Sequence, residues 1–292
     1  MGSITSGRPG ETSPGNGRGP VAEKTPADAA APAGRPTRRP GRWRTRRPMN
    51  PTMAFCVLVV YPVASLMFRL RYRNPERIPL TGPVLVVANH VSILDPIAFA
   101  RLVFDSGRFP HFLAKESVFK GVIGTLLEQA GQIPVARFSA DAHGALDAAR
   151  ADLEAGNAVV IYPEGSVTRD PDWWPMQSRS GVARLALTTD AVVVPVAQWG
   201  PQRLHDYHRK RLYPRLRVSA EYLVGEPVDL DALRAEVRAG RPLTAELLRE
   251  TTELIMSRVR EQLAELRREP APSGFYPRPG RELPGDVSGS AA

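Results

Sequence analysis

Short runs of β-branched residues alternate with helical stretches from Pro79 onward, and this alternation constrains the fold more than any other feature of the chain. Buried strands of four to eight residues separated by amphipathic helices are typical of an α/β domain. The predicted strands are 84–88, 112–115, 133–135, 158–162, 192–197 and 216–224. The predicted helices are 93–103, 117–130, 140–153, 181–188 and 244–268. We therefore expect one α/β domain with a mixed, mostly parallel sheet flanked by helices.

The two ends of the chain differ from this domain in composition. The chain of 292 residues has a net charge of +9, and its first fifty residues hold ten Lys and Arg against three acids. Residues 1–48 are rich in Gly, Pro, Ser and Ala, so they bury too little apolar area to offset the entropy of ordering. We predict that 1–48 is a disordered basic tail, with seven arginines in 35–47 able to meet anionic lipid or nucleic acid or simply to remain solvated. A second disordered tail is predicted at 269–292.

An uncharged stretch from Met53 to Phe68, followed by several arginines, is the membrane-like part of the sequence. As a helix it would measure roughly 24 Å, which is less than the ~30 Å of a bilayer core, and Pro62 interrupts it. We predict a membrane-associated helix over 49–70 that dips into one leaflet at the cytoplasmic face, so that the protein is monotopic or peripheral. A buried N-terminal core helix is the alternative.

The cysteine and histidine content limits other chemistry. The single cysteine, Cys56, excludes an intramolecular disulfide and lies in an apolar run, so we interpret it as a small hydrophobe. His111, His143, His205 and His208 have no acidic residue at a spacing that suggests a pair, and His205 and His208 flank Asp206 with too few ligands for a metal. No metal and no cofactor are expected.

His90 and Asp95 follow the first predicted strand, His90 in the turn and Asp95 about one helical turn into the next element. A carboxylate that holds one ring nitrogen of a histidine fixes its tautomer and stabilises the imidazolium, so the other nitrogen can deprotonate a hydroxyl. The alternative is a structural histidine bonded to an acid at a helix start.

Three further segments accompany this pair. Gly131–Arg137 ends in a cation after a short predicted strand, and Tyr162–Ser166 reads YPEGS directly after another. Gly165 allows close backbone approach, and the amides of such a turn can cradle an anion. The third segment, Val194–Val196 with the sequence VPV, closes another predicted strand.

In this order the four segments resemble the blocks of the glycerolipid acyltransferase family, the 1-acylglycerol-3-phosphate acyltransferases in particular: NHxxxxD, a Gly-to-Arg block, PEG and V-P-V/I. The resemblance covers about 79–200. It implies an acyltransferase domain over 71–268, in which a fatty acyl thioester acylates the free hydroxyl of 1-acylglycerol-3-phosphate to give phosphatidate.

The resemblance also implies roles for individual residues. His90 would be the general base and Asp95 its orienting acid, whereas Arg137 and Lys115 would contact the acceptor phosphate. Glu164, Gly165 and Ser166 would shape the acceptor site, and Asn89 and Ser92 of the first block would bind substrate. Backbone amides or polar side chains near the His90 turn would stabilise the oxyanion that forms on the thioester.

One position departs from the family pattern. The family has Arg two residues after the PEG glycine, whereas this chain has Val167, and the nearest arginine is Arg169. Either Arg169 contacts the phosphate from a longer loop, or the acceptor headgroup differs. Trp173 and Trp174 in this loop either lie at the lipid interface or pack the loop.

The implied partners are a lysophospholipid acceptor, membrane lipids and an acyl thioester donor, either acyl-CoA or acyl carrier protein, with no nucleic acid. One alternative keeps the chemistry and changes the acceptor to another lysolipid or a glycolipid. A more remote alternative is a basic membrane- or nucleic-acid-binding protein without catalysis. A serine hydrolase is disfavoured because the G-x-S-x-G motif is missing.

Overall fold

The computed structural model describes residues 51–135 and 142–278, which belong to one compact unit. The described α-helices are α1 (Pro51–Met67), α2 (Asp95–Asp105), α3 (Gly121–Gln129), α4 (Ala142–Glu154), α5 (Gly181–Thr188), α6 (Asp231–Arg238) and α7 (Ala245–Arg267). The described strands are β1 (Phe68–Arg73), β2 (Val84–Ala88), β3 (Pro110–Lys115), β4 (Ile133–Val135), β5 (Ala158–Ile161), β6 (Val192–Trp199), β7 (His205–Asp206), β8 (Arg211–Leu212) and β9 (Val218–Val224). Short 3-10 turns lie at Pro75–Arg77, Glu116–Val118 and Pro201–Arg203.

Seven strands form one twisted sheet in the order β1-β9-β6-β2-β5-β3-β4. The pairs from β6 to β4 are parallel, β9 runs antiparallel to β6, and β1 runs parallel to β9. The predicted α/β fold with a mixed, mostly parallel sheet is therefore confirmed. All six predicted strands are present within two residues of their expected ends.

The sheet has a hydrophobic cluster on each face, which explains why its central strands read as continuous apolar runs. On one face Phe99 and Leu102 of α2 pack on Val86 and Val160. On the other face helices α4, α5 and α7 cover Leu85, Val87 and Val159 through residues such as Leu153, Leu185 and Ile255. Because β2 is buried on both faces, the residues that follow it have a fixed position.

Strand β1 begins within the predicted membrane-associated segment 49–70 and ends beyond it. The prediction of a helix to residue 70 was therefore wrong. Phe68 and Tyr72 are buried in the core, and the arginines between them point outward. Arg71 and Arg73 pair with Glu221 and Glu265 at 3.5 Å and 3.0 Å. The alternation of aromatic and arginine residues in FRLRYR is the period-2 signal of such a strand.

Helix α1 ends at Met67, and five of its large apolar side chains are exposed: Phe55, Leu58, Val59, Val63 and Leu66. Arg101 of α2 holds its inner face, since its guanidinium lies 3.6 Å from the Tyr61 ring centroid and Nη1 donates to Ser65 Oγ. Among the described helices, none combines the length and the apolar content that crossing a bilayer requires.

The first ten residues of the predicted disordered tail 269–292 differ from that prediction. The Phe275 ring packs at the cluster beneath α7, 4.6 Å from the Arg260 guanidinium. The Tyr276 carbonyl accepts a hydrogen bond from the Gln177 amide at 2.9 Å. These contacts fix the segment because an aromatic ring adds apolar burial that the low overall hydropathy of the tail conceals. The predicted tail 1–48 and residues 279–292 lie outside the described residues.

Candidate active site

His90 and Asp95 form the predicted pair at the carboxyl end of β2. His90 Nδ1 lies 2.8 Å from Asp95 Oδ2, with the His90 side chain 12% exposed and Asp95 fully buried. An acid bonded to Nδ1 selects the tautomer that carries its proton there, so Nε2 is left as the basic nitrogen. The pair therefore has the geometry of a general base with its orienting carboxylate.

Asp95 Oδ2 also accepts hydrogen bonds from three other donors. These are the amides of Val91 and Ser92, at 2.7 Å and 3.0 Å, and Gln198 Nε2 at 2.9 Å. Burial raises the pKa of the Asp95 carboxyl, and the hydrogen bond from His90 opposes that rise. The four donors that converge on Oδ2 stabilise the carboxylate form that a histidine base requires, and they oppose the rise in pKa that burial causes without cancelling it.

Glu164 holds the His90 turn through hydrogen bonds to backbone amides. Its Oε1 accepts from the His90 amide at 2.9 Å and its Oε2 from the Met176 amide at 3.1 Å. The Thr168 amide in turn donates to the His90 carbonyl at 2.8 Å. Glu164 is 1% exposed and does not line the cavity, so it can shape the acceptor site only by holding this turn. It is a positioning residue, because both carboxylate oxygens are bonded to backbone amides.

Asn89 and Ser92, which were predicted to bind substrate, are also buried structural residues. The Asn89 side chain exchanges hydrogen bonds with the backbone of Gln198 at 3.1 Å and 2.9 Å, and Gln198 Nε2 donates to the Asn89 carbonyl at 2.6 Å. Ser92 Oγ donates to the His205 carbonyl at 3.1 Å. These bonds tie the turn after β2 to the end of β6 and to the segment beyond it.

Gln198 is a residue of the site that sequence reasoning missed. It bonds both Asp95 and Asn89, yet it lies 103 positions after Asp95 in the chain. The parallel register of β2 with β6 pairs Ala88 with Val196. Gln198, two residues further along β6, therefore lies just beyond the end of β2, next to Asn89. A polar residue at the end of a buried strand is the sequence signal that could have identified it.

A cavity of about 1750 Å³ opens at His90. Its apolar wall comes largely from α1, α2 and the strand ends, and includes Val57, Tyr61, Ile97, Ala100, Phe112 and Leu113. Its polar residues include His90, Lys115, Ser166, Gln177, Arg179 and Arg184. The Tyr162 ring is stacked on the His90 imidazole, with centroids 4.3 Å apart. A long apolar chain and a charged headgroup fit such a two-sided cavity.

The cavity contains three of the predicted substrate-binding residues. These are Lys115, Gly165 and Ser166. Arg169 lies beside it and stacks on Tyr207, with its guanidinium carbon 4.8 Å from the ring centroid and Nη2 3.1 Å from the hydroxyl. Arg137 lies outside the described residues.

Three backbone amides near the His90 turn are unsuited to the predicted oxyanion role. Those of His90, Val91 and Ser92 already donate to Glu164 and Asp95 at 2.7–3.0 Å. Each such bond would have to break before the amide could serve an oxyanion. These three amides hold the carboxylates in place instead.

The tryptophans of the loop after the PEG turn have packing roles. Trp174 is buried with Leu263 and Leu266, and the Arg267 guanidinium lies 4.1 Å from its ring centroid. Trp173, at φ 66°, stacks on His208 with centroids 4.0 Å apart. Of the two interpretations left open by the sequence, these contacts favour packing.

A second histidine–acid pair contradicts the expectation that His111 has no acidic partner. His111 Nδ1 lies 2.7 Å from Asp152 Oδ2, and Asn157 Nδ2 donates to Asp152 Oδ1 at 2.6 Å. The partners are 41 residues apart, so spacing along the chain could not reveal them. The pair joins β3 to α4 and fixes the strand that carries Lys115.

Comparison with known proteins identifies relatives of part of the chain. Residues 69–199 match the family model described as Acyltransferase. An uncharacterized protein of Mycobacterium leprae is 30% identical over 149 residues, and one of Mycobacterium tuberculosis is 31% identical over 149 residues. Each alignment covers 47% of this chain but only 38% and 39% of the relative, so the chain spans about two fifths of the relatives it matches.

A solved structure shares the fold. The crystal structure of the 1-acyl-sn-glycerophosphate acyltransferase PlsC from Thermotoga maritima matches with a TM-score of 0.52 at 21% identity, over 75% of this chain and 81% of that one. The family match covers the elements from β1 to β6, which include the His90–Asp95 pair and the PEG turn. Residues 69–199 of this chain are therefore similar to the domain that the Acyltransferase family model describes.

Proposed function

We propose that this protein transfers a fatty acyl group from a thioester to the free hydroxyl of 1-acylglycerol-3-phosphate and so makes phosphatidate. The observation that carries the proposal is the His90–Asp95 pair at the edge of a large cavity with apolar and cationic walls. The fold shared with PlsC and the match to the acyltransferase family support the reaction type.

The reaction needs one proton acceptor and no covalent enzyme intermediate. His90 Nε2 removes the proton from the acceptor hydroxyl as its oxygen attacks the thioester carbonyl carbon. The tetrahedral intermediate collapses with loss of the carbon–sulfur bond, and the imidazolium returns its proton to the thiolate. Asp95 stabilises the imidazolium between these two steps.

The size and polarity of the cavity support a lipid substrate. Ordinary small-molecule sites measure about 300–1000 Å³, whereas this one measures about 1750 Å³. Each buried methylene adds about 0.8 kcal/mol of binding free energy. Apolar residues of α1 and α2 provide one wall, and Lys115 with Arg179 provides positive charge for an anionic headgroup.

We also propose that α1 attaches the protein to the cytoplasmic face of a membrane without spanning it. Apolar side chains are exposed on α1 and on the adjacent α3: Phe55, Leu58, Val59, Val63, Leu66, Val122 and Ile123. Thr52 Oγ1 donates to Gln129 Oε1 at 2.8 Å, which joins the two helices. An exposed apolar surface of this kind next to a lipid-sized cavity suits an enzyme that takes its acceptor from a bilayer.

A different lysolipid or glycolipid acceptor is the second candidate, because Val167 occupies the place of the family arginine. Competition between lysophosphatidate and lysolipids with larger headgroups distinguishes the two. A preference for an enlarged headgroup would replace the first proposal with the second and leave the chemistry unchanged.

The first experiment incubates the purified chain with lysophosphatidate and labelled long-chain acyl-CoA, then with acyl carrier protein as donor. Wild type should form labelled phosphatidate, and His90→Ala should lose a factor of roughly 10²–10⁴ in kcat. A chain lacking residues 1–48 is the control, since a binder that depends on its basic tail would lose function whereas an acyltransferase would retain it. Full activity of His90→Ala would refute the base assignment, and no product from wild type with either donor would refute the acceptor.

A further inference from the structure

The position that carries a cation in the family pattern holds an uncharged side chain in this protein. Val167 is 2% exposed and lines the cavity. The next residue, Thr168, donates its amide to the His90 carbonyl. The backbone beside Val167 is therefore held next to the general base, His90. A cationic side chain that binds a phosphate near His90 has to come from another element.

Arg169 is poorly placed to provide that charge. Its guanidinium is engaged with Tyr207, both over the ring and by a 3.1 Å hydrogen bond to the hydroxyl. Tyr207 itself lines the cavity, whereas Arg169 does not. To reach a ligand at His90, Arg169 would have to give up both its stacking on the Tyr207 ring and the hydrogen bond to its hydroxyl.

Arg179 lies against the PEG turn through both its backbone and its side chain. Its amide donates to the Pro163 carbonyl at 2.8 Å, so its backbone is held against the turn. Its side chain crosses Gly165, because a Cβ at Gly165 would lie 2.9 Å from Arg179 Nε. Gly165 has φ +75°, so it combines a left-handed backbone with the room that the arginine requires.

The cavity wall therefore contains His90, Gly165, Ser166 and Arg179 together. Arg179 is an exposed residue of the cavity wall, so an incoming headgroup can approach it. In a lysophosphatidate only the short glycerol linkage separates the free hydroxyl from the phosphate. A base for the hydroxyl and a planar donor for the phosphate must lie on one wall, and an arginine provides bidentate geometry for phosphate oxygens.

We propose that Arg179 binds the phosphate of the acceptor, in place of the arginine that the family pattern has at position 167. The inference rests on the proposed function and deepens it, because it names the residue that selects an acceptor with a phosphate beside its hydroxyl. Lys115 and Arg184 also line the cavity, from β3 and α5. Arg179 differs from them in its contacts with Pro163 and Gly165 of the PEG turn.

The test measures KM and kcat of the full chain for lysophosphatidate and for monoacylglycerol, which lacks the phosphate. Arg179→Gln should raise KM for lysophosphatidate about 10- to 100-fold, with kcat and the kinetics on monoacylglycerol unchanged. Arg179→Lys keeps the charge without the planar fork, so its KM should be intermediate. Arg169→Gln is the matched control, and its KM should equal that of wild type.

The outcomes separate this inference from the proposed function. If wild type does not acylate lysophosphatidate, the proposed function fails before any variant is compared, and this inference fails with it. If wild type is active and Arg179→Gln slows both acceptors equally, Arg179 is structural and the inference is overturned. A phosphate-specific rise in KM for Arg169→Gln, with Arg179→Gln like wild type, would overturn it in favour of Arg169.

Discussion

The carboxylate of Asp95 concentrates four hydrogen bonds on one oxygen, and this limits what can replace it. In Asp95→Asn an amide oxygen can still accept from the backbone, but it carries no charge to stabilise the imidazolium of His90. We expect kcat to fall roughly 10²- to 10⁴-fold, with a loss of about 1–3 kcal/mol in the free energy of unfolding. Steady-state kinetics and urea denaturation measure the two effects.

Asp105→Asn is the matched control on the same helix, since Asp105 bonds Tyr72 and Arg101 at the far end of α2. It should lose stability and keep its kcat. A wild-type kcat in Asp95→Asn would mean that Asp95 only orders the turn, as the structural interpretation of the sequence holds.

Glu164 should make stability depend on pH. Burial raises its pKa to about 8, although the amides of Met176 and His90 oppose the shift. In the unfolded chain an ordinary glutamate has a pKa of about 4.3. At a pH between the two pKa values, the folded state therefore keeps a proton on Glu164 that the unfolded chain has lost. The free energy of unfolding should therefore fall by a few kcal/mol as pH rises from about 5 to 8.

Urea denaturation across this pH range tests the prediction. Glu164→Gln should be less stable than wild type at pH 5, because its amide group cannot accept from a second N–H donor, and its stability should fall less steeply with pH. Part of the slope should remain, because burial raises the pKa of Asp95 in the same direction. Glu154→Gln, at an exposed position, should leave the slope unchanged, and an equally steep slope in Glu164→Gln would contradict the assignment.

At the scale of elements, the exposed apolar surface of α1 and α3 should determine membrane binding. Leu58 is 72% exposed and Val122 is 79% exposed. Replacing both by Asp removes apolar contact worth about 1.5–3 kcal/mol per side chain. Partitioning to anionic vesicles should drop at least about tenfold, as measured by co-sedimentation.

Leu254→Asp is the control, because Leu254 is exposed on α7, which packs on the other face of the sheet. It should sediment like wild type. Equal partitioning of the double variant and wild type would exclude this surface as the membrane contact.

For the whole molecule, the segment after α7 should support the cavity from a distance. Tyr276 pairs with Met176 and accepts from the Gln177 amide, and Met176 is also bonded to Glu164. Ending the chain at residue 268 removes these contacts from the segment that leads to Arg179. We expect a higher KM for lysophosphatidate together with a lower Tm.

A chain ending at residue 278 retains the Phe275 and Tyr276 contacts and is the matched control. Its KM and Tm should equal those of the full chain. If the shorter chain also keeps both values, the segment contributes nothing to the site, and the loop carrying Arg179 is held by Glu164 and Pro163 alone.

The sequence by itself determined the order of strands and helices and the His90–Asp95 pair. Both depend on short-range information: the periodicity of apolar residues identifies the elements, and five positions across one turn bring the two side chains together. Strand β1 was missed although its alternation is local, because its arginines were interpreted as flanking a membrane helix.

The tertiary structure decided which residues face the cavity and which support it. Gln198 meets Asp95 only because β6 pairs with β2, and Glu164 points behind His90 although it belongs to the recognised PEG block. Arg169 and Arg179 look equally available in sequence, but Arg169 stacks on Tyr207 while Arg179 crosses Gly165. Spacing along the chain cannot separate such cases, because the direction of a loop side chain depends on contacts with distant elements that exist only after folding.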